Sequence, residues 1–429
     1  QDAVESQPQS ITSYPSPISL ANSWNERIVG EVASDIAVSM SAEQINVAGI
    51  LSPIPKLNMT DRAISEDPLL SAKISSAYMG SIGKTGIAVT LDDIFFDEQD
   101  VSCLDHTPNS RFLNEFVYRA VSNTVENKKC HAVTVGADID IKGYENINSE
   151  ITERVATIGG EKFVLCKNIA PEDTVIRIVK GQICLDGCEP VLKAAIDRYA
   201  RLKEGIKRGR VTVCELEAEI ENGSAFPPEK IDEAVDKVID FAFEMTNANK
   251  GKLASYTPTS TVVKNAAYES TVLLKNYKTV LPLKPGTLVT LAGDILVNYN
   301  GEDADYSDKA NEAAYYLRGL GCASQGFVRA YSMAEDRSDK LFMQMEGSAL
   351  NTDTVILFMG TNPQKEKAIT RTENLYLPAN QLAALEKLYK MGKKIIAVVS
   401  SDYAIDVTFA DKVDALLVAP LNTKYGVEA

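Results

Sequence analysis

Histidine, positive charge and long apolar runs are scarce in this chain of 429 residues, and each scarcity excludes a class of function. Only His106 and His131 are present, so a mechanism that needs a histidine cluster is nearly excluded. Acidic residues outnumber lysine and arginine by 59 to 44, and the net charge of -15 argues against a nucleic-acid partner. No uninterrupted apolar stretch is long enough to span a bilayer, and the first residues lack the basic start and apolar core of a secretory signal.

The seven cysteines are an odd number, scattered from Cys103 to Cys322, and do not form the spacing of a disulfide framework. Reduced thiols, and with them a cytoplasmic location, are favoured, although the sequence does not otherwise identify a compartment. Cys184 and Cys188 have a gap that fits some zinc sites, but no second Cys or His pair follows at a suitable interval. We therefore expect small buried hydrophobes at these positions, with no metal and no cofactor.

The first half of the chain alternates helical and strand patterns. Ile28, Val32, Ile36 and Met40 recur at helical spacing, and the apolar run Ile45–Leu51 ends at prolines. Near-continuous apolar strands that alternate with helices predict a parallel sheet that is covered on both sides or closed into a barrel. Further predicted strands are Gly86–Leu91, His131–Val135, Lys162–Cys166 and Ile183–Leu185; further predicted helices are Asp67–Ile82, Arg111–Val125, Ile147–Ile158, Glu189–Lys207 and Pro228–Met245.

A polar linker, Thr246–Thr261, separates this half from the next. It is followed by Glu269–Leu283, in which we expect a short buried run at Thr271–Leu274, a turn at Lys275–Lys278 and a strand edge at Pro282. The rest predicts an open, doubly wound α/β domain. Its predicted strands are Leu288–Ala292, Thr354–Met359, Lys394–Val399 and Ala415–Val418, and its predicted helices are Asp308–Leu317 and Asn380–Lys390.

Five segments of the sequence carry a resemblance to a known family. They are Tyr14–Asn25, Ser65–Met79, Glu269–Leu283, Asn374–Gln381 (NLYLPANQ) and the strand from Lys393. In the same order, they resemble segments of glycoside hydrolase family 3, the family of many bacterial β-glucosidases. The resemblance implies a (β/α)8-type (TIM-like) barrel in residues 1–245, incomplete at its N-terminus. A linker at 246–262 and a truncated α/β sandwich at 263–429 would follow.

The resemblance also implies a retaining β-glycosidase mechanism, in which one carboxylate attacks the anomeric carbon and a second carboxyl group acts as acid and base. In the family the nucleophile is an aspartate at the carboxyl end of a barrel strand. The corresponding strand here is identified as Phe163–Asn168, and Lys167 occupies the aspartate position. An ammonium group cannot form the glycosyl ester, so this substitution would remove the reaction.

Other family site residues are replaced as well. The Lys-His pair that holds sugar hydroxyls corresponds to Asp92 and Asp93, and Arg62 stands in a shortened Gly-Arg-Asn-Phe segment. The loop with the acid/base glutamate reads KAITR, Lys367–Arg371, with Glu366 one position out of register. Asp2 is similar in position to the family's sugar-binding aspartate.

Two alternatives remain open at this point. Asp92, Asp93, Asp138 and Asp140 all follow predicted strands, so they could form a rearranged acid/base site, although neutralising Lys167 is the favoured role. If the nucleophile is misplaced, Asp138 or Asp186 would attack, with Glu366 as acid/base. The tyrosines Tyr306, Tyr315, Tyr316 and Tyr331 could line a sugar site, but aromatic residues at helical spacing are more often core.

The sequence thus predicts a catalytically inactive member of this family with a carbohydrate-binding, structural or assembly role. The alternative is an active retaining β-glycosidase of β-glucosidase or β-N-acetylglucosaminidase type, so whether the chain is an enzyme stays open. Carbohydrate is the expected partner, and a homo-oligomer or a larger assembly is a further expectation.

Overall fold

The computed structural model of the protein describes a little over half of the chain. The described residues are 14–42, 45, 47–50, 64–91, 110–125, 132–135, 154–155, 157–158, 164–167, 260–298, 309–333, 338–361, 376–401, 404–421 and 423–429. They belong to two compact units. The first contains everything described from residue 36 to 50 and from 67 to 167, and the second contains residues 14–35, 64–66 and everything described from residue 260 onward. The predicted domain bounds at 245 and 262 stay predictions.

The helices and strands alternate along the described chain. The helices are α1 (Pro17–Asn22), α2 (Glu26–Ala42), α3 (Pro68–Gly83), α4 (residues 110–125, with a π-helical stretch at Leu113–Tyr118), α5 (Ser260–Ser270), α6 (Ile295–Asn298), α7 (Lys309–Gly319), α8 (Asp339–Ala349) and α9 (Ala379–Lys390). The strands are β1 (Val47–Ile50), β2 (Ala88–Leu91), β3 (Ala132–Val135), β4 (Val164–Lys167), β5 (Val272–Asn276), β6 (Leu288–Ala292), β7 (Ala323–Val328), β8 (Thr354–Gly360), β9 (Lys394–Ser400) and β10 (Ala415–Val418). None of the described helices is long and apolar enough to cross a membrane.

The first unit contains a parallel sheet with the strand order β1-β2-β3-β4. The pairs β1–β2, β2–β3 and β3–β4 are all parallel, with Val47 opposite Ala88 and Ala132 opposite Val164. All four residues of β2 are buried, as expected for a parallel strand that is covered on both faces. The predicted strands at these positions are confirmed within two residues at either end.

Helix α3 explains one of the sequence motifs. The Asp67 carboxylate caps the helix by accepting hydrogen bonds from the backbone N–H groups of Leu69 at 2.8 Å and Leu70 at 3.4 Å. Pro68 follows at the first helical position, where its missing N–H costs nothing. The Asp-Pro pair is therefore explained by the fold, as a helix start.

The second unit is built on a six-stranded sheet with the order β5-β10-β9-β8-β6-β7. All pairs are parallel except that of β5 with β10, which is antiparallel. After β6 the chain goes to β7 on one side and then returns to β8 on the other side. The strand order therefore reverses between β6 and β8, as in a doubly wound sheet.

Apolar side chains fill both faces of this second sheet. Val355, Leu357 and Met359 of β8 pack with α8 and α9 on one face. Ile356 and Phe358 of the same strand pack with α6 and α7 on the other face. The alternation explains why the central strands read as continuous apolar runs in the sequence.

The segment around β5 differs from its prediction. Leu273 and Leu274 are 50% and 53% exposed, so the run at Thr271–Leu274 is not buried. The reason is topological, since β5 pairs only with β10 and forms the antiparallel edge of the sheet. The predicted turn is also displaced, because β5 continues to Asn276 and a 3-10 turn follows at Tyr277–Thr279.

Other elements were missed or lie outside the described residues. Strand β7 and helix α8 had no counterpart among the predictions, and α5 begins at Ser260, inside the predicted linker. The other strands and helices predicted for this domain are confirmed within two residues at either end. The predictions Ile183–Leu185, Glu189–Lys207 and Pro228–Met245 fall outside the described residues, as does most of Ile147–Ile158.

A buried lysine fixes the last described segment to α7. The Lys309 ammonium donates to the carbonyl oxygens of Leu421 and Thr423, the latter at 2.8 Å. Burial lowers the pKa of Lys309 to about 8, and the carboxylate of Glu312 opposes this shift only in part. The charged form of Lys309 is therefore held at a cost near neutral pH.

Gly360 should be sensitive to substitution, because a Cβ at this position would lie 2.1 Å from the carbonyl oxygen of Ser400. We expect Gly360→Ala to lower the free energy of unfolding by about 3 kcal/mol, since the contact is with backbone that cannot move aside. Urea denaturation measures the change. The control is Gly347→Ala on α8, where a Cβ meets nothing within 4 Å and should stabilise by up to about 1 kcal/mol. Equal stabilities for the two variants would contradict the packing described here.

The Lys309 contacts predict a pH dependence of stability. Between pH 8 and the ordinary value of 10.5, folded Lys309 has lost its proton while the unfolded chain retains it. The unfolded state then binds more protons, so this contribution to stability rises with pH across the window and is lost as the pH falls through 8. Urea unfolding at pH 7 to 10 should show the free energy of unfolding of wild type rising with pH relative to that of Lys309→Met. The same difference for the exposed Lys340→Met should stay constant, and a flat profile for Lys309→Met would contradict the assignment.

Candidate functional site

The carboxyl edge of the first sheet is where the sequence predicts a sugar site. The parallel strands end there at Ile50, Leu91, Val135 and Lys167, and the register sets Ile50 beside Leu91 and Val135 beside Lys167. The backbone of Lys167 therefore occupies the carboxyl end of β4, which is the end where barrel enzymes keep their chemistry. Its neighbour in the sheet is the last residue of β3.

The remaining predicted site residues lie outside the described part of the chain. Asp92 and Asp93 directly follow the end of β2, and Asp138 and Asp140 follow the end of β3 by a few positions. Their roles stay predictions. The same holds for Asp2, Arg62, Asp186 and Glu366.

The second sheet has its own carboxyl edge, and two glycines shape it at the strand-order reversal. Gly293, with φ +136, follows β6, and a Cβ there would lie 2.2 Å from the carbonyl oxygen of Phe358 in β8. Gly360 ends β8 and meets the backbone of Ser400 equally closely. Side chains are thus excluded where β6, β8 and β9 end together. In open α/β sheets the crevice outside this reversal point is the usual place for a ligand.

Asp294, the next residue after Gly293, is a buried carboxylate with three hydrogen-bond donors. Arg329 donates from Nε to Oδ1 and from Nη2 to Oδ2 at 2.9 Å, and the Met333 N–H donates to Oδ2 at 2.7 Å. The bidentate pair offsets the cost of burying the charge, while the Arg329 side chain remains 44% exposed. The pair joins the end of β6 to the segment after β7. Sequence reasoning did not find it, although an aspartate two residues after a buried strand was a usable signal.

Two amides of the NLYLPANQ segment hold the same edge from the side of α9. Gln381 accepts from the Gly360 N–H at 2.9 Å and donates to the Gly360 carbonyl at 2.7 Å. Asn380 donates to the carbonyl oxygen of Ser332 at 2.8 Å. Both contacts satisfy backbone groups that have no partner in the sheet ladder. The segment is therefore explained by the fold, without a ligand.

Hydroxyl groups complete this edge at the ends of β8 and β9. The Thr361 and Ser401 side chains lie 2.8 Å apart, and the Thr361 N–H donates to the Ser400 carbonyl at 3.2 Å. Residues 362–375, which contain Glu366 and the KAITR segment, directly follow and are outside the described part of the chain. The described part thus places the base of the predicted acid/base loop at the reversal point of the second sheet.

The described tyrosines that were considered for a sugar site lie in different environments. Tyr331 is fully buried, its phenol donates to the Phe358 carbonyl at 2.8 Å, and burial raises its pKa well above the usual value. Tyr315 is 72% exposed on α7 and packs edge-on against Tyr316. The core interpretation is confirmed for Tyr331 and wrong for Tyr315, while Tyr306 is outside the described residues. In the described ranges, no three His, Cys, Asp or Glu side chains come close enough together to hold a metal ion.

The chain is similar in sequence to known glycoside hydrolases. Residues 271–429 match the model of the "Glycosyl hydrolase family 3 C-terminal domain". The chain is 23% identical to thermostable β-glucosidase B of Acetivibrio thermocellus, over 96% of this chain and 54% of that protein. It is 22% identical to an exo-α-(1->6)-L-arabinopyranosidase of Bifidobacterium longum, over 92% of this chain and 52% of that protein. The chain thus spans about half the length of the curated relatives it matches.

Solved structures show the same fold. A GH3 β-glucosidase of Bifidobacterium adolescentis superposes with a TM-score of 0.73 at 18% identity, over 98% of this chain and 62% of that one. A β-glucosidase from Listeria innocua gives a TM-score of 0.65 at 17% identity, over 97% and 62%. These likenesses indicate the architecture of a barrel followed by an α/β sandwich. The described residues supply a parallel sheet for the first part and the mixed sheet of the second.

Replacing the buried carboxylate of Asp294 should show how much its pair with Arg329 stabilises this edge. We expect Asp294→Asn to lower the free energy of unfolding by about 2 kcal/mol, because an amide cannot accept all three hydrogen bonds. Arg329 is partly exposed and regains water, which limits the loss. Urea denaturation measures the change, with the exposed Asp353→Asn as the control. An unchanged midpoint for Asp294→Asn would show that the pair does not stabilise the edge.

Proposed function

We infer, since this chain belongs to glycoside hydrolase family 3, that it is a β-glucosidase-like protein that has lost glycoside hydrolysis. It would retain a carbohydrate-binding or structural role. The observation that supports this proposal is Lys167 at the carboxyl end of a parallel strand. A basic residue stands at the kind of position that a retaining enzyme reserves for its nucleophile.

The chemistry of retention explains why one substitution is sufficient. The nucleophilic carboxylate forms a bond to the anomeric carbon as the bond to the leaving oxygen breaks, and water later hydrolyses the glycosyl ester. A protonated lysine has no lone pair for this attack. Its positive charge would also disfavour the oxocarbenium-like transition state, which a carboxylate stabilises.

A counter-charge for Lys167 is part of the proposal. Asp92 and Asp93 follow β2, and Asp138 and Asp140 follow β3, which is the neighbour of β4 in the sheet. The carboxyl ends of parallel strands share one edge, so these aspartates are suited to neutralise the ammonium group. We propose that at least one of them pairs with Lys167, which would use a carboxylate for charge balance instead of catalysis.

The acid/base position supports the same proposal. The family's pattern around the glutamate is replaced by Lys367–Arg371, and Glu366 lies one position out of register. A displacement of one residue matters, because the two carboxyl groups must lie about 5 Å apart for retention. The loss of two carboxylates leaves no pair to perform the reaction.

The alternative is an active retaining β-glycosidase, of β-glucosidase or β-N-acetylglucosaminidase type. Two of the relatives carry names of active enzymes, a β-glucosidase and an arabinopyranosidase. In that case Asp138 or Asp186 would be the nucleophile and Glu366 the acid/base. A structural role within a homo-oligomer or larger assembly is compatible with the main proposal, and the mass of the native particle tests it, with a stable monomer counting against it.

A chromogenic assay decides between the inactive and active forms. We expect the full chain to release no nitrophenol above background from p-nitrophenyl β-glucoside or β-N-acetylglucosaminide, because the attacking carboxylate is missing. Turnover that is abolished by Asp138→Asn or Asp186→Asn, and left intact by the exposed control Asp353→Asn, would overturn the proposal. Turnover that survives all three variants would assign the reaction to another residue and would equally reject the inactive form.

A further inference from the structure

A small cavity lies beside α9 in the second unit. It has a volume of about 220 Å³. The cavity is bounded by α9 and by the 3-10 turn Thr408–Lys412 that leads into β10. Its lining residues are Tyr376, Leu377, Leu382, Leu385, Asp406, Thr408, Phe409 and Lys412.

The base of the cavity is apolar and firmly packed. Leu377, Leu385 and Phe409 are buried members of the core between the sheet and α9. Tyr376 stands at the edge with 55% of its surface exposed. An exposed aromatic ring above an apolar base suits a ligand that has one apolar face and polar edges.

Charged groups of opposite sign lie along the rim. Asp406 accepts hydrogen bonds at Oδ1 from the Thr408 hydroxyl at 2.5 Å and from the Thr408 N–H at 2.8 Å. These bonds hold the pKa of Asp406 below its ordinary value, so the carboxylate stays charged. On the other side, the Lys412 ammonium group pairs with the Glu386 carboxylate. The rim thus offers a fixed acceptor and a cationic donor near an aromatic face.

We propose that this cavity binds a single sugar ring, with the ring's C–H face against Tyr376 and its hydroxyl groups toward Asp406 and Lys412. A pyranose has this combination of one apolar face and equatorial hydroxyl groups. The proposal deepens the carbohydrate-binding role proposed above and rests on it. The cavity belongs to the second unit, whereas Lys167 ends a strand of the first sheet.

The size of the cavity limits the ligand. Sites for drug-sized ligands measure roughly 300–1,000 Å³, so a cavity of about 220 Å³ has room for one ring and not for an oligosaccharide chain. A purely apolar ligand is disfavoured, because it would remove water from the Asp406 carboxylate and offer no hydrogen bond in its place. For one sugar ring we expect a dissociation constant on the order of 1 mM.

The test is calorimetric and saturation-transfer NMR titration of the full chain with methyl β-D-glucopyranoside. Tyr376→Ala should weaken binding at least tenfold by removing the aromatic face. Asp406→Asn should weaken it about fivefold, because the amide keeps one acceptor for Thr408 and loses the charge. The matched controls are Tyr389→Ala, an exposed tyrosine at the other end of α9, and Asp411→Asn, an exposed aspartate in the same 3-10 turn. Both should bind within twofold of wild type, and urea midpoints show whether each variant is folded.

The outcomes separate this proposal from the one on which it rests. Saturable binding that is unchanged in folded Tyr376→Ala and Asp406→Asn overturns the cavity and leaves the carbohydrate-binding role standing. The absence of saturable binding up to 50 mM sugar, about fifty times the expected dissociation constant, rejects the cavity and a carbohydrate-binding role for this sugar, and it leaves the loss of hydrolysis and the structural role standing. If Tyr376→Ala fails to fold, Tyr376→Leu replaces it, and unchanged binding by that variant overturns the stacking role.

Discussion

The close approach of three strand ends is the constraint on which the second unit depends. At the carboxyl edge of its sheet, Gly293 and Gly360 bring the backbones of β6, β8 and β9 into contact, with no room for a side chain. The close approach leaves polar backbone groups without partners in the ladder. Gln381 satisfies both groups of Gly360, and the Tyr331 phenol satisfies the carbonyl of Phe358. The pair of Asp294 with Arg329 then fixes the segment that follows β7. The Gln381, Tyr331 and Asp294 side chains thus each meet a need of the backbone.

These contacts give several motifs of the sequence a structural explanation. Asp67 and Pro68 start a helix, and Asn380 and Gln381 hold the edge of a sheet. Their loss would cost stability in any protein with this fold, whether or not it hydrolyses sugars. Retained motifs of this kind identify the fold and carry little information about activity.

The sequence predicted buried strands well and edge elements poorly, for a physical reason. Strands β6, β8 and β9 are covered on both faces, and their continuous apolar runs are unambiguous. Strand β7 lies at the edge and contains Gly326 with φ +146, so its pattern is weak. The apolar run of β5 led to a wrong prediction of burial, because Leu273 and Leu274 are apolar yet exposed on an edge strand. Partners across the sheet decide these cases, and they are distant in the sequence.

The candidate site was predictable in position and not in detail. The sequence alone set Lys167 at a strand end, and the register of β4 with β3 agrees with that placement. The Asp294–Arg329 pair escaped, because its members are 35 residues apart and nothing local shows that a buried carboxylate has a guanidinium partner. Both findings concern the carboxyl edges of parallel strands, where side chains at strand ends are free of the pattern that a packed core imposes. At the second edge the needs of the backbone explain the side chains, whereas the role of Lys167 at the first edge stays a prediction.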